Sequence, residues 1–248
     1  MNQFLLSDKK ILVTGASSGI GYTTCLTIAE LGGVVIAVGR NEENLKQLMT
    51  KLKGEGHSYI SCDLSKMENI PALIEGITNI DGFVHSAGIV ELAPAKFYNV
   101  DLMDKIRLIN YDSLLILMNQ LLKKKKLNKN GSIVLVSSIS GLYGMKGNGI
   151  YAGTKAALIG LSKVLANELA GQKINVNCVA PGMVRTKITE ASIEDLSKEV
   201  IELDEKKYPL GYGDPEDVAN SIVFLLSSAS KWITGQTLIL DGGRTTSI

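Results

Sequence analysis

Residues 11–33 read "ILVTGASSGIGYTTCLTIAELGG", and this stretch decides the fold. A β-branched run, Ile11 to Thr14, enters the glycine-rich turn "TGASSGIG", Thr14 to Gly21, and leaves it as a helix. Strand, glycine turn and helix in that order set backbone N–H groups and a helix N-terminus where they can cradle a pyrophosphate. Glycines supply positive φ and let phosphate or adenosine approach the backbone with no Cβ in the way. The spacing, Gly15-x-x-x-Gly19-x-Gly21, is not G-x-G-x-x-G, and a plain tight turn explains it when taken alone. The strand before it and the helix after it make nucleotide binding the better reading.

The same alternation runs to the end of the chain. Strands are expected at "VVIAV" (34–38), "SYISC" (58–62), "GFVHS" (82–86), "SIVLVS" (132–137), "INVNCVA" (174–180) and "TLIL" (237–240), separated by amphipathic helical patterns. Strands alternating with helices predict an α/β fold: one Rossmann-like, doubly wound parallel sheet of about seven strands with helices on both faces. No linker or repeat divides the 248 residues, so one domain, 1–248, is expected. Asp214 and Pro215 in "GDPEDVANSIVFLL" read as N-cap and first helical residue. Lys123 to Lys126 read as cations at a helix C-terminus, with a docking patch for an acidic carrier as the functional alternative.

A hydrophobic share of 45% can bury a large core, and a net charge of +1 leaves no footprint for nucleic acid or an anionic membrane. No apolar run reaches membrane-spanning length, and "MNQFLLSDKKILVTG" lacks an export pattern, so a cytoplasmic protein is expected. Cys25, Cys62 and Cys178 are widely spaced and read as reduced thiols. No metal is implied.

The second strand ends at Gly39 and Arg40. No carboxylate stands there to repel a 2′-phosphate, and a guanidinium stands ready to pair with one, which favours NADP over NAD. Asp63, after the third strand, is placed to accept from an adenine amino group or to cap the next helix. Tyr151 and Lys155 in "GIYAGTKAAL" (149–158) lie four apart, on one helix face. An ammonium at about 5 Å and an effective dielectric of ~20 is worth roughly 3 kcal/mol, or about two pKa units on a phenol that titrates near ~10. That would make the tyrosine a usable proton donor near neutrality, although Tyr-x-x-x-Lys alone is a weak signal.

Taken together the motifs resemble those of the short-chain dehydrogenase/reductase family over nearly the whole chain. "TGASSGIG" resembles its cofactor motif, "HSAG" (85–88) its N-N-A-G motif, "IVLVSSISG" its serine-bearing strand, "YAGTK" its Y-x-x-x-K and "NVNCVAPGMVRT" its P-G motif. "ITGQTLILDGG" is similar to its C-terminal signature. Length and C-terminal pattern are most similar to the 3-oxoacyl-[acyl-carrier-protein] reductases and related small-molecule ketoreductases.

The resemblance implies a catalytic set of Asn110, Ser138, Tyr151 and Lys155. Tyr151 would exchange the proton and Lys155 would lower its pKa and hold the nicotinamide ribose. Ser138 would donate to the substrate oxygen, and Asn110 would hold a water linking Lys155 to solvent. Ser137 is the less suitable serine, since neighbouring strand residues face opposite ways. Gly15, Ser17, Ser18, Gly19, Ile20 and Gly21 would surround the pyrophosphate and adenosine, with Arg40, Asp63 and Leu64 completing that end. Ala87 and Gly88 would lie beside the ribose, and Pro181, Gly182, Val184 and Thr186 around the nicotinamide. A lid over 187–213, a carbonyl substrate either free or carrier-linked, and a homo-oligomer, a tetramer, are also implied.

Three departures stand out. His85 and Ser86 replace two asparagines, Tyr212 stands where an arginine is frequent, and Gln172 replaces a carrier-docking arginine. A non-catalytic nucleotide-binding protein is the alternative from another class, though such a protein would be expected to lose Tyr151 or Lys155. The sugar-nucleotide epimerases differ in glycine spacing and carry an added C-terminal region.

Overall fold

A computed structural model describes residues 2–187, 189 and 197–246. Seven strands form a single parallel sheet: β1 (Lys10–Thr14), β2 (Val34–Gly39), β3 (Ser58–Ser61), β4 (Ile80–His85), β5 (Leu127–Val136), β6 (Asn175–Pro181) and β7 (Thr237–Leu240). Their order across the sheet is β3-β2-β1-β4-β5-β6-β7, every neighbouring pair parallel. All seven expected strands are present. β5 begins five residues earlier than its apolar run, because Leu127 pairs with Ile80 before the register shifts and Gly82 pairs with Ser132.

The two-residue period of each strand sorts its side chains between two cores. Ile11, Val13, Val84, Val134 and Val136 face one side, where α1 (Gly19–Glu30) packs with Cys25 and Ile28. Leu12, Phe83, Ile133 and Leu135 face the other, against α3 (Ile70–Glu75) and the long helices on either side of β5. The described helices between these are α2 (Glu42–Met49), α4 (Val100–Arg107), α5 (Ser113–Lys123), α6 (Gly149–Leu169), α7 (Lys198–Glu205) and α8 (Pro215–Leu226). α8 adds Val218, Ile222 and Leu226 beside α1. It starts as the sequence predicts: Pro215 opens its first turn, and the Asp217 carboxylate accepts the Asp214 N–H at 2.8 Å.

The lysine run does serve a helix end, although not only its own. α5 stops at Lys123, but Lys124 lies 3.4 Å from Glu75 and Lys126 donates to the Ile77 carbonyl at 2.5 Å, both at the C-terminal end of α3. The three cysteines are buried, and burial pushes the Cys178 thiol up to about 11. No helix among the described residues is long and apolar enough to cross a membrane.

The chain leaves β1 toward β2 and β3 on one side and returns to β4 on the other. That reversal opens a crevice beyond the carboxyl ends of β1 and β4, the place where open parallel sheets bind ligands.

Candidate active site

A cleft of about 300 Å³ occupies that crevice. Its floor and walls come from the ends of six strands. Gly15, Ser17, Ser18 and Ile20 follow β1, and Gly39 and Arg40 end β2. Ala87 and Gly88 follow β4, and Ser138, Tyr151 and Lys155 stand on the β5 side. Asp63 and Leu64 close the β3 side, and Pro181, Gly182, Val184 and Thr186 the β6 side. The structure thus brings nearly every residue singled out in the sequence to one cavity. Gly21 and Asn110 are the two that do not border it.

Gly21 acts one layer back. A Cβ there would strike the Gly15 carbonyl, so glycine is what lets the turn fold over the start of α1. Gly15 and Gly19 both adopt positive φ, +69° and +54°. A Cβ on Gly15 would sit 2.8 Å from the Ser86–Ala87 peptide, so the glycine turn lies directly against the residues after β4. The Ser18 side chain makes no capping bond, leaving the first N–H groups of α1 available to an outside acceptor. Bare glycine cradle, uncapped helix start and the Arg40 guanidinium suit a phosphate-bearing dinucleotide. Asp63 is committed locally: its Oδ1 accepts from the Ser65 amide at 3.1 Å and hydroxyl at 2.8 Å. Burial pushes the Asp63 carboxyl upward. The Ser65 bonds, helped by the Arg40 and Lys66 charges, outweigh it and leave the pKa below the ordinary carboxylate value.

At the other end the Lys155 Nζ lies 5.5 Å from the centroid of the Tyr151 ring. Lys155 is 4% exposed and donates to the Val136 carbonyl at 2.8 Å. The Ser138 hydroxyl stands beside Tyr151, accepts from the Ser140 amide at 3.1 Å and reaches the Pro181 carbonyl at 3.5 Å. Ser137 turns the other way, donating to the Lys155 carbonyl at 2.7 Å, as strand alternation predicts.

The electrostatics differ from the simple expectation. Tyr151 is part-buried on the cleft wall, and the desolvation that its surroundings impose pushes the phenol up to about 12 against the lowering effect of Ser138. Burial likewise pushes the Lys155 ammonium down to about 8. The sequence argument counted only the attraction between cation and phenolate. Removing both groups from water penalises each charged form, and here that cost is larger.

Asn110 also differs. It sits in a π-turn, Leu108–Asp112, that interrupts the passage from α4 to α5 and buries it completely. Its Oδ1 accepts the Ile89 N–H at 2.8 Å, and its Nδ2 donates to the Ile89 carbonyl at 2.9 Å and the Thr154 hydroxyl at 3.2 Å. Both amide protons are spent, so the side chain is a clamp on the loop after β4. An asparagine within an apolar helical pattern is a propensity misfit, and this clamp is its resolution.

Thr154, which the sequence reading passed over, links Asn110 to the catalytic helix: its hydroxyl donates to the Tyr151 carbonyl at 2.8 Å. A threonine three residues after the tyrosine on one helix face was the available signal. His85, the last residue of β4, is fully buried with Nδ1 3.0 Å from the Thr14 hydroxyl. Burial and the Lys155 charge push its imidazole down to about 3, so it is neutral.

Tyr212 is compensated from across the fold. Arg185 donates to the Tyr212 carbonyl at 2.8 Å and to Glu205 at 2.6 Å, placing a guanidinium near the site where one was expected from position 212. Within the expected lid, residues 188 and 190–196 lie outside the described residues.

A Rossmann-like sheet, a glycine cradle and a Ser–Tyr–Lys cluster at opposite ends of one cleft define a nicotinamide-dependent oxidoreductase. The comparisons with known proteins agree. Residues 15–245 match the family model described as enoyl-(acyl carrier protein) reductase. The chain is 39% identical over 239 residues to the 3-oxoacyl-[acyl-carrier-protein] reductase FabG of Rickettsia bellii, covering 96% of this chain and 97% of that protein. It is 37% identical over 246 residues to the protein of the same name from Thermotoga maritima, covering 96% and 98%. A putative NAD(P)-dependent gluconate 5-dehydrogenase from Beutenbergia cavernae, solved with bound NADP, superposes with a TM-score of 0.89 at 31% identity, covering 99% of this chain and all of that one. The chain belongs to the short-chain dehydrogenase/reductase family and is an NAD(P)-dependent oxidoreductase.

Proposed function

We propose that the protein reduces a ketone to a secondary alcohol, with Tyr151 as proton donor, Ser138 as a second donor to the same oxygen, and Lys155 as the cation that stabilises the phenolate. The observation that carries this is the convergence of the three side chains in the cleft whose far end is the glycine cradle. Gly15, Ser17, Ser18, Ile20, Ala87, Gly88, Val184 and Thr186 would hold a nicotinamide dinucleotide, which supplies the hydride when bound. Burial keeps the Tyr151 hydroxyl protonated at neutral pH, so it is ready to donate to an oxygen on which charge is building. Lys155 remains largely protonated at pH 7 and can offset the charge left on the phenol. Two O–H groups side by side on one cleft wall suit an oxygen acceptor, which favours C=O over C=C reduction among the activities named for the relatives.

Arg40, exposed at the adenosine end and lining the cleft, supports preference for NADP. A 3-oxoacyl thioester is the leading substrate, from the curated relatives, with a polyol-derived ketone second, from the gluconate dehydrogenase likeness. We place the protein in the cytoplasm as a single-domain homotetramer. Exposed Val164 on α6, Leu115 on α5, and Leu238 and Ile239 on the edge strand β7 are the apolar surface such assembly would cover.

The test follows reduced-nicotinamide absorbance with acyl-carrier thioesters, sugars and steroids, NADPH against NADH. Tyr151→Phe should abolish turnover, and Arg40→Asp should cut the NADPH preference by about tenfold or more, one charge-assisted contact. Full turnover in Tyr151→Phe removes the proton-donor assignment. A wild-type preference for NADH removes the role of Arg40, and a monomer by light scattering at micromolar concentration removes the tetramer.

A further inference from the structure

We propose that Asn148 is a positioning residue that braces Ser138 against the helix carrying Tyr151, a role that rests on the reading of those two side chains as donors to one substrate oxygen.

Two hydroxyls that must reach the same oxygen need a fixed spacing, because a misplacement of about 1 Å costs ~10²-fold in rate. They stand on different elements, Ser138 just beyond β5 and Tyr151 in the first turn of α6. A run of hydrogen bonds joins the two. The Ser140 amide donates to Ser138 Oγ at 3.1 Å and so occupies one lone pair of the hydroxyl. The proton of that hydroxyl meets the Pro181 carbonyl only at 3.5 Å, so a substrate oxygen at ordinary distance takes it. Ser140 is held in turn by its side chain, whose Oγ accepts from Asn148 Nδ2 at 2.9 Å. The Asn148 carbonyl accepts the Ala152 N–H at 2.8 Å, the first bond of α6, and Ala152 directly follows Tyr151. Ser138, Ser140 and Asn148 are each at most 9% exposed, so water does not compete for these bonds.

An asparagine kept only for the fold would act differently here. Asparagine is a favoured N-cap, its side-chain oxygen accepting an N–H of the first turn. Asn148 holds that position yet makes no capping bond, and its Oδ1 is buried and unpartnered among the described residues. Both features cost stability. The bond to Ser140 is what the side chain makes instead. Gly141 already seats the same turn on α6, since a Cβ there would lie 2.8 Å from the Ala156 nitrogen. The brace therefore trims the spacing of a turn that packs on the helix anyway, and its loss should cost less than loss of the donor.

Asn148→Leu fills similar volume, removes the unpartnered oxygen and cannot donate. Ser140→Ala cuts the same bond at its other end and keeps the amide. Each is made alone and together with Ser138→Ala. Nicotinamide absorbance gives kcat and KM, and hydrogen exchange follows the amide of residue 140. Ser138→Ala, which deletes the donor, should lower kcat by ~10²-fold or more. Asn148→Leu should lower kcat about tenfold with the ketone KM within about twofold, as for an interaction made only in the transition state. On the Ser138→Ala background it should change kcat by less than about twofold, because no hydroxyl is left to aim. A defect of the whole fold would lower kcat on both backgrounds alike. The residue-140 amide should exchange about tenfold faster in Asn148→Leu and in Ser140→Ala. Should Asn148→Leu fail to fold, Ser140→Ala should give the same pattern. An unchanged kcat, an equal fall on both backgrounds, or an unmoved residue-140 amide in both variants overturns the positioning role. Full turnover in Ser138→Ala overturns the donor reading and the positioning role with it. A wild type that binds NADP but reduces no ketone overturns the proposed activity instead and leaves exchange at residue 140 to decide the brace.

Discussion

Lys155→Met separates what the buried ammonium costs the fold from what it gives the site. The group is 4% exposed, and burial lowers it from 10.5 to about 8. A displacement of 10.5 − 8, at about 1.36 kcal/mol per unit, is about 3 kcal/mol of destabilisation wherever both folded and unfolded chains carry the proton. That condition holds below pH 8. Between pH 8 and 10.5 the folded chain releases its proton first, the unfolded chain binds more protons, and stability rises with pH. Above 10.5 the penalty is gone. Methionine fills similar volume without charge, but leaves the Val136 carbonyl without its donor, a loss of about 1 kcal/mol or more. At pH 7 the variant should therefore be about 1–2 kcal/mol more stable than wild type, while turnover is lost. Near pH 10 the wild type should have overtaken it, by a total relative change of about 3 kcal/mol.

Urea unfolding of both proteins at pH 7, 8.5 and 10 measures the difference. Tyr151, raised from 10.0 to about 12, works in the opposite sense: its stabilising contribution is full below pH 10 and is lost as pH rises toward 12. It is present in both proteins and cancels in the comparison to first order. A difference that stays flat from pH 7 to 10 would refute the reasoning, because it would mean that Lys155 is not depressed.

Two other perturbations have definite outcomes. Gly15→Ala puts a Cβ at φ +69° and 2.8 Å from the Ser86–Ala87 peptide, so it should cost about 2 kcal/mol or more in thermal unfolding and weaken NADP binding at least tenfold by calorimetry. Arg185→Ala removes bonds to Glu205, Asp214 and the Tyr212 carbonyl, yet Arg185 is half exposed, so stability should fall by only about 1 kcal/mol or less. Its effect should instead appear as faster hydrogen exchange at 198–213 and a raised ketone KM, because Val184 and Thr186 flank the same residue on the cleft wall.

The fold was legible because its signals are local. The central strands β1, β2 and β4 are short apolar runs buried on both faces, the edge strands β3 and β7 are partly exposed, and the glycine turn after Thr14 fixes which end of the sheet binds. The placement of the candidate cluster was legible for a similar reason: residues four apart on a helix share one face, and alternation on a strand separates Ser138 from Ser137. What escaped the sequence depends on three-dimensional neighbours. Nothing in "KIRLINYDSLLIL" announces a π-turn, which exists because Asn110 must reach both polar groups of Ile89, a residue 21 positions earlier. The sign of the Tyr151 shift escaped because pair attraction can be computed from spacing, whereas desolvation needs the finished cleft. The contact of Arg185 with the Tyr212 carbonyl escaped too, since no sequence pattern shows that the two residues, 27 positions apart, meet beyond β6.

The violations of ordinary folding rules have a common address. A buried ammonium at Lys155, a neutral histidine with an idle nitrogen at His85, an unpartnered Asn148 oxygen and a π-turn at Asn110 all sit near the carboxyl ends of β4 and β5. Asn148 occupies the N-cap position of α6 and forgoes the cap, its amide donating to the Ser140 hydroxyl at 2.9 Å instead. Ser140 in turn supplies the amide that fixes Ser138. The amino half of the sheet is mostly apolar, with Ile11, Leu12 and Val35 fully buried; the unpartnered Thr237 hydroxyl at the start of β7 is its exception. Stability is thus gathered at one end of the strands and given up at the other, and a chain that relieved those strains one by one would become more stable as it lost its chemistry.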